Sequence, residues 1–156
     1  MPRIIVGQMR LSNLSDRDAF NFLSYTRESG FNHYDHADIY GDGECERKFG
    51  RWLASEHIDR SKIIIQSKCG ICLKNGIKYY DNSKEYILKS VDQILTRLNC
   101  EYLDNFLIHR PDTLMNADEI AEAFSVLKNQ NKVYQAPPSM GFSRQEYWRR
   151  VPLPSP

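Results

Sequence analysis

Hydrophobic positions along the first 133 residues switch repeatedly between two spacings. Four times over, a short apolar run is followed by a stretch in which apolar residues recur at helical spacing. The first run is Ile4-Ile5-Val6-Gly7. Ser15 with Asp18 then makes a capping box, and the helix it opens carries Ala19, Phe22, Leu23 and Thr26 before Gly30 stops it. The second run, His33 to Asp38, leads to a helix with Cys45, Phe49, Trp52 and Leu53 on one face. The third, Lys62 to Ser67, is β-branched and predicts a buried strand. A polar loop, LKNGIKYYDNS, separates it from a helix marked by Ile87, Val91, Ile94, Leu95 and Leu98, with Asn82 as its expected cap. The fourth run, Leu103 to Ile108, is stopped at Arg110-Pro111. Asn116 with Glu119 then opens a helix carrying Ile120, Ala123, Phe124 and Leu127.

Strand and helix alternating through short connections predict parallel strands joined by crossovers, an α/β fold. Two architectures satisfy this: a doubly wound sheet or part of a (βα)8 TIM barrel. A doubly wound nucleotide-binding sheet carries a glycine-rich turn after its first strand, whereas here the turn is Gly7-Gln8-Met9-Arg10-Leu11 with one glycine. The pattern favours the barrel, of which four βα units are the N-terminal half. Periodicity ends after Lys132. Val133 and Tyr134 begin a fifth strand that Ala136-Pro137-Pro138 cuts short. The expected organisation is a half-barrel over residues 1–133 and an irregular, disordered tail over 134–156. That tail resembles the translation of an interspersed genomic repeat.

Composition narrows the partners. The chain has 156 residues, 21 Lys and Arg against 20 Asp and Glu, and a formal net charge of +1. Such balance gives no reason to expect nucleic acid or a membrane surface, and no apolar run is long enough to span a bilayer. With no secretory signal, a cytoplasmic protein with reduced thiols is expected. Cys69-Gly70-Ile71-Cys72 is a C-x-x-C that raises a thioredoxin-like redox reading. The polar stretch after it lacks the helix that would lower a cysteine pKa there. A zinc site would need two further ligands, and no second closely spaced pair exists.

The barrel expectation itself points to chemistry. Reactive groups in such a fold stand at the C-terminal ends of the strands. The second strand delivers Asp35 and, just beyond, Tyr40; the third ends in Lys68; the fourth ends in His109. Together these suit carbonyl reduction. The alkoxide left by hydride addition needs a proton donor, and a neighbouring ammonium makes a tyrosine a better one. Asp35 would hold that lysine, and His109 would orient the carbonyl. Taken singly, each residue has a structural explanation: a turn cap, a packed ring, a solvated loop charge, a hydrogen-bonded histidine. Their shared rim is what unites them.

The segments DHADIYG (35–41), QSKCGI (66–71) and LIHRPD (107–112) occur in this order. With them the chain resembles the aldo-keto reductases, and within these a bacterial-type branch of oxidoreductases. The resemblance runs over about residues 3 to 133. It implies a (βα)8 barrel, NADP(H) as cofactor, a small-molecule carbonyl substrate, and a tetrad of Asp35, Tyr40, Lys68 and His109. Gly7, Gln8, Met9 and Asp35 match positions lining the cofactor. A whole barrel needs about 250 residues. The family's nicotinamide stack and phosphate loops belong to the half that this chain lacks. The expectations are therefore a truncated NADP-dependent reductase or, alternatively, a non-catalytic half-barrel fragment. In either case self-association is expected through open edges at the first and fourth strands.

Overall fold

A computed structural model describes residues 4–110 and 112–135. The tail beyond Gln135 and the proline stop at Pro111 lie outside the described residues.

Among the described residues seven strands and four α-helices follow in chain order: β1 (Val6–Gly7), α1 (Asp16–Glu28), β2 (His33–Asp35), α2 (Glu44–Ser55), β3 (Ile64–Cys69), β4 (Ile71–Lys74), β5 (Ile77–Tyr80), α3 (Lys84–Leu98), β6 (Leu103–Ile108), α4 (Ala117–Asn129) and β7 (Val133–Gln135). Five strands form one parallel sheet in the order β1-β2-β3-β6-β7, with sequential strands lying side by side. Adjacent parallel strands with helices on one side are the arc of a βα barrel.

The helices begin where short polar side chains satisfy their free amides. Ser15 accepts from Asp18 N at the head of α1, and Asn116 accepts from Asp118 N and Glu119 N at the head of α4. At α3 the cap is Ser83 rather than Asn82: Asp81 accepts from Ser83 N and Oγ, and Ser83 Oγ faces Tyr86 N. Asn82 is instead buried. The expected apolar faces are buried at Ala19, Leu23 and Thr26 on α1, at Cys45, Phe49, Trp52 and Leu53 on α2, and along α3 and α4. Phe22, on the flank of the α1 stripe, stays 38% exposed. Tyr34 of β2 meets Phe49 and Trp52 with ring centroids 5.0 and 6.0 Å apart, an aromatic clasp that docks α2 on the sheet.

Three strand expectations need correction. Ile4 and Ile5 precede the first strand and are exposed. The third strand begins at Ile64, because Asp59 caps a short 3-10 turn over Arg60–Lys62. It is buried only on alternate residues: Ile65, Ser67 and Cys69 face the helices, while Ile64, Gln66 and Lys68 face the barrel interior. The fourth run is not an edge, since β7 pairs with β6 through Leu103–Val133 and Asn105–Gln135. The open edges of the five-stranded sheet, among the described residues, are β1 and β7.

The expected polar loop after Lys68 is a hairpin. β4 and β5 pair antiparallel across Asn75-Gly76, both at positive φ (51° and 77°). Asn-Gly is the dipeptide that such a two-residue turn favours. The strands escaped notice because β5 is exposed along its length and carries no buried face.

Candidate active site

The register of the sheet lines up one rung of inward-facing positions. Gly7 lies opposite Asp35, Asp35 opposite Gln66, Gln66 opposite Asn105, and Asn105 opposite Gln135. Barrel interiors are usually filled with branched apolar side chains. Four of these five positions carry polar groups, so this layer is built for something other than packing.

Asp35 closes β2, Lys68 is the penultimate residue of β3, and His109 follows β6 directly, its N donating to Cys69 O at 2.8 Å. β2 ends at Asp35, yet the ladder runs on: His36 N donates to Gln66 O and Asp38 N to Lys68 O. That continuation guides the chain to Tyr40. The following turn is closed by Gly43 N donating to Tyr40 O at 3.2 Å, and Gly41, Asp42 and Gly43 all take positive φ. At Gly41 a Cβ would lie 2.5 Å from Ser12 Oγ, so the glycine is required twice, by conformation and by space. The GDG after Tyr40 thus sets where that ring stands.

All four expected residues converge. Lys68 Nζ lies 2.6 and 2.7 Å from the two Asp35 carboxylate oxygens and also donates to His36 O at 2.7 Å. The same ammonium stands 5.2 Å from the centre of the Tyr40 ring. Tyr40 and His109 meet edge to face, centroids 5.7 Å apart at 82°. Burial holds the His109 imidazole below the ordinary histidine range, with the Lys68 and Arg110 charges adding to the effect. It is therefore neutral at pH 7, with one N–H to donate.

Of the first-loop residues matched to a cofactor, Gly7 has open space in front of it, and Met9 is 56% exposed. Gln8 is buried; its side-chain amide donates to Val6 O at 3.0 Å, while its Oε1 is buried without a partner among the described residues. Gly7 and Met9 thus suit the near wall of a cofactor cleft, and Gln8 is turned inward.

Several site-bordering residues escaped the sequence reading. Gln66 donates from Nε2 to Asp35 Oδ1 at 2.6 Å; its signal was its place two residues before Lys68 on one strand face. Behind the rim, Glu46 is fully buried, accepting from Arg97 Nε at 2.7 Å and from Ser67 Oγ at 2.8 Å. Asp38 accepts from the Tyr86 hydroxyl at 3.3 Å; burial, then the Glu46 charge, push its carboxyl up to about 6. His36 is fully buried against Phe49, ring centroids 4.6 Å apart. No periodicity announces such pairs, because they join different elements.

Cys69 and Cys72 are free and buried, and burial raises the Cys69 thiol well above its usual range, the opposite of a reactive redox cysteine.

The model of the Aldo/keto reductase family matches residues 3–137. This chain belongs to the aldo/keto reductase family. Among its relatives, the uncharacterized oxidoreductase YcsN of Bacillus subtilis is 41% identical over 139 residues, covering 84% of this chain and 46% of YcsN. Oxidoreductase YdhF of Escherichia coli is 41% identical over 137 residues, with the same two coverages. In three dimensions the chain superposes on the holo form of aldo-keto reductase AKR11C1 from Bacillus halodurans with a TM-score of 0.80 at 28% identity, covering 95% of this chain and 50% of that one. Glycerol dehydrogenase AKR11B4 from Gluconobacter oxydans gives 0.79 at 25% identity, covering 97% and 49%. The chain therefore spans about half the length of the aldo/keto reductases it matches, and its fold is a partial TIM barrel. No helix among the described residues is long and apolar enough to cross a membrane.

Proposed function

We propose that this chain carries the proton-transfer half of an NADP(H)-dependent oxidoreductase that interconverts a small aldehyde or ketone and its alcohol. The observation that carries the reading is the convergence of one ammonium, Lys68, on Asp35 and on the Tyr40 ring, with His109 against that ring. NADP(H), when bound, supplies or accepts the hydride. As charge builds on the substrate oxygen, Tyr40 gives it a proton, and the Lys68 ammonium stabilises the phenolate left behind. Asp35 and the His36 carbonyl keep the ammonium in place. Neutral His109 donates its N–H to the same oxygen and fixes the carbonyl's orientation. Gly7, Met9 and Asp35 border the near side of the cofactor, with Gln8 behind them. We assign the protein to the cytoplasm, in keeping with four free thiols.

The test is NADPH-dependent reduction of an aldehyde panel by the purified chain, alongside NADPH titration followed by tryptophan fluorescence. Saturable binding with turnover that Tyr40→Phe abolishes supports the reading. Turnover that survives Tyr40→Phe refutes Tyr40 as the donor.

A second reading rests on a separate observation. Both β1 and β7 are open parallel edges, and the chain covers half of its relatives. Under it the chain is a non-catalytic half-barrel that self-associates through those edges. A soluble, folded chain that neither binds NADPH nor turns over aldehydes would favour it, and sedimentation that shows a concentration-independent monomer would rule out the association.

A further inference from the structure

We infer that Gln66 is a positioning residue for proton transfer: its amide fixes the Asp35 carboxylate so that the carboxylate can hold Lys68 beside Tyr40. The inference rests on the reading above and names a fifth member of that site.

Gln66 is placed for this by the strand itself. On β3 the residues alternate, so Gln66 and Lys68 share the inward face, and the register sets Gln66 beside Asp35. Its Nε2 donates to Asp35 Oδ1 at 2.6 Å. Both carboxylate oxygens also lie within 2.7 Å of Lys68 Nζ. A carboxylate held by the ammonium alone can swing about its last torsion and draw Lys68 along, away from a tyrosine ring 5.2 Å off. A second donor on the neighbouring strand removes that freedom, and donation to a charged acceptor makes it a strong restraint. The amide must also present its NH2 end, because its oxygen would repel the carboxylate. The Asp35–Lys68 pair is mostly buried, with side chains 20% and 13% exposed, so water is a poor substitute for the donor.

The test uses the full chain labelled with 15N-lysine, the Lys68 ammonium signal being identified by its loss in Lys68→Arg. Gln66→Met keeps the volume and removes the donor. Gln66→Glu places a second carboxyl beside Asp35, which can donate only when it holds a proton. In Gln66→Met the Lys68 ammonium protons should exchange with water about tenfold faster than in wild type, in line with the loss of one charge-assisted hydrogen bond. Gln66→Glu should match Gln66→Met at about pH 8 and return toward wild type at about pH 5, as its carboxyl protonates. A residue that only fills space would not give that reversal within one protein. Wild-type exchange in Gln66→Met, or no pH-dependent return in Gln66→Glu, overturns the inference. Should Gln66→Met fail to fold, the Gln66→Glu reversal decides alone. If the wild-type chain shows no carbonyl reduction, the non-catalytic reading is favoured for the isolated chain, while Lys68 exchange still judges Gln66. Where reduction is seen, Gln66→Met should lower kcat about tenfold at unchanged KM.

Discussion

Gly41 offers a direct way to ask whether the turn after Tyr40 is as constrained as its geometry says. An alanine there must adopt a φ of +57° and place its Cβ 2.5 Å from Ser12 Oγ and 2.6 Å from Ser12 Cβ. The left-handed conformation costs about 1–2 kcal/mol for an L-residue. The overlap adds about 1–3 kcal/mol, since Ser12 Cβ cannot rotate away and the 3-10 turn Leu11–Asn13 that carries it must move. The two penalties separate experimentally because only the second depends on Ser12. Gly41→Ala should destabilise the chain by about 3 kcal/mol, and by only about 1 kcal/mol in a Ser12→Gly background. Urea unfolding of all four proteins, with the m-value checked for constancy, gives the coupling free energy directly. A loss equal in both backgrounds to within about 0.5 kcal/mol would refute the steric argument and leave only backbone strain.

Three further outcomes follow from buried polar groups. Burial, reinforced by the Lys68 charge, holds the His36 imidazole down to about 3 against an ordinary 6.5, so the unfolded chain protonates first and stability falls as pH drops through that interval. His36→Leu should flatten this limb, removing about 3 kcal/mol of the loss between about pH 7 and about pH 4 in urea titrations. Asp38 has the opposite sign: with its folded carboxyl raised to about 6, the folded state binds the proton more tightly, and stability declines as pH rises from about 4 to about 6. Asp38→Asn should remove that decline in a pH series of thermal melts. Arg97→Met strands the fully buried Glu46 with only Ser67 as partner and should cost about 3–5 kcal/mol, while Glu46→Met on top of it should restore much of the loss in the same melts.

Much of the fold was legible because burial imposes a period. Leu23, Phe49, Trp52, Ile94 and Phe124 recur on helical faces, and each is buried where the spacing placed it. The four rim residues were legible for a different reason: parallel strands deliver their C-terminal ends to one side, so order along the chain becomes adjacency in space. What stayed hidden lacks both signals. The β4–β5 hairpin has its sequence mark in Asn75-Gly76, but its second strand buries no face and shows no alternation. Gln66–Asp35 and Glu46–Arg97 are contacts between elements, fixed by register and helix docking rather than by spacing. Their one trace in the sequence is a polar residue on a face that should be apolar.

The division of labour within this half-barrel bears on how its function fails or survives. Asp35, Gln66, Lys68 and His109 come from β2, β3 and the end of β6, the three inner strands of the sheet, and Tyr40 from the turn after β2. The open edges, β1 and β7, flank this machinery and contribute none of the four converging groups. The ion pair and the Tyr40 turn are fixed by contacts with inner strands and with the first loop, through Ser12 beside Gly41. Completing or leaving open the barrel should therefore change the proton-transfer geometry little. Under the proposed function the hydride side is different, since among the described residues the first loop offers Gly7 and Met9 as its open wall. An isolated chain with an ordered Lys68 ammonium and no turnover would thus locate the defect in cofactor binding, and that defect should yield to supplying the rest of the barrel rather than to repairing the tetrad.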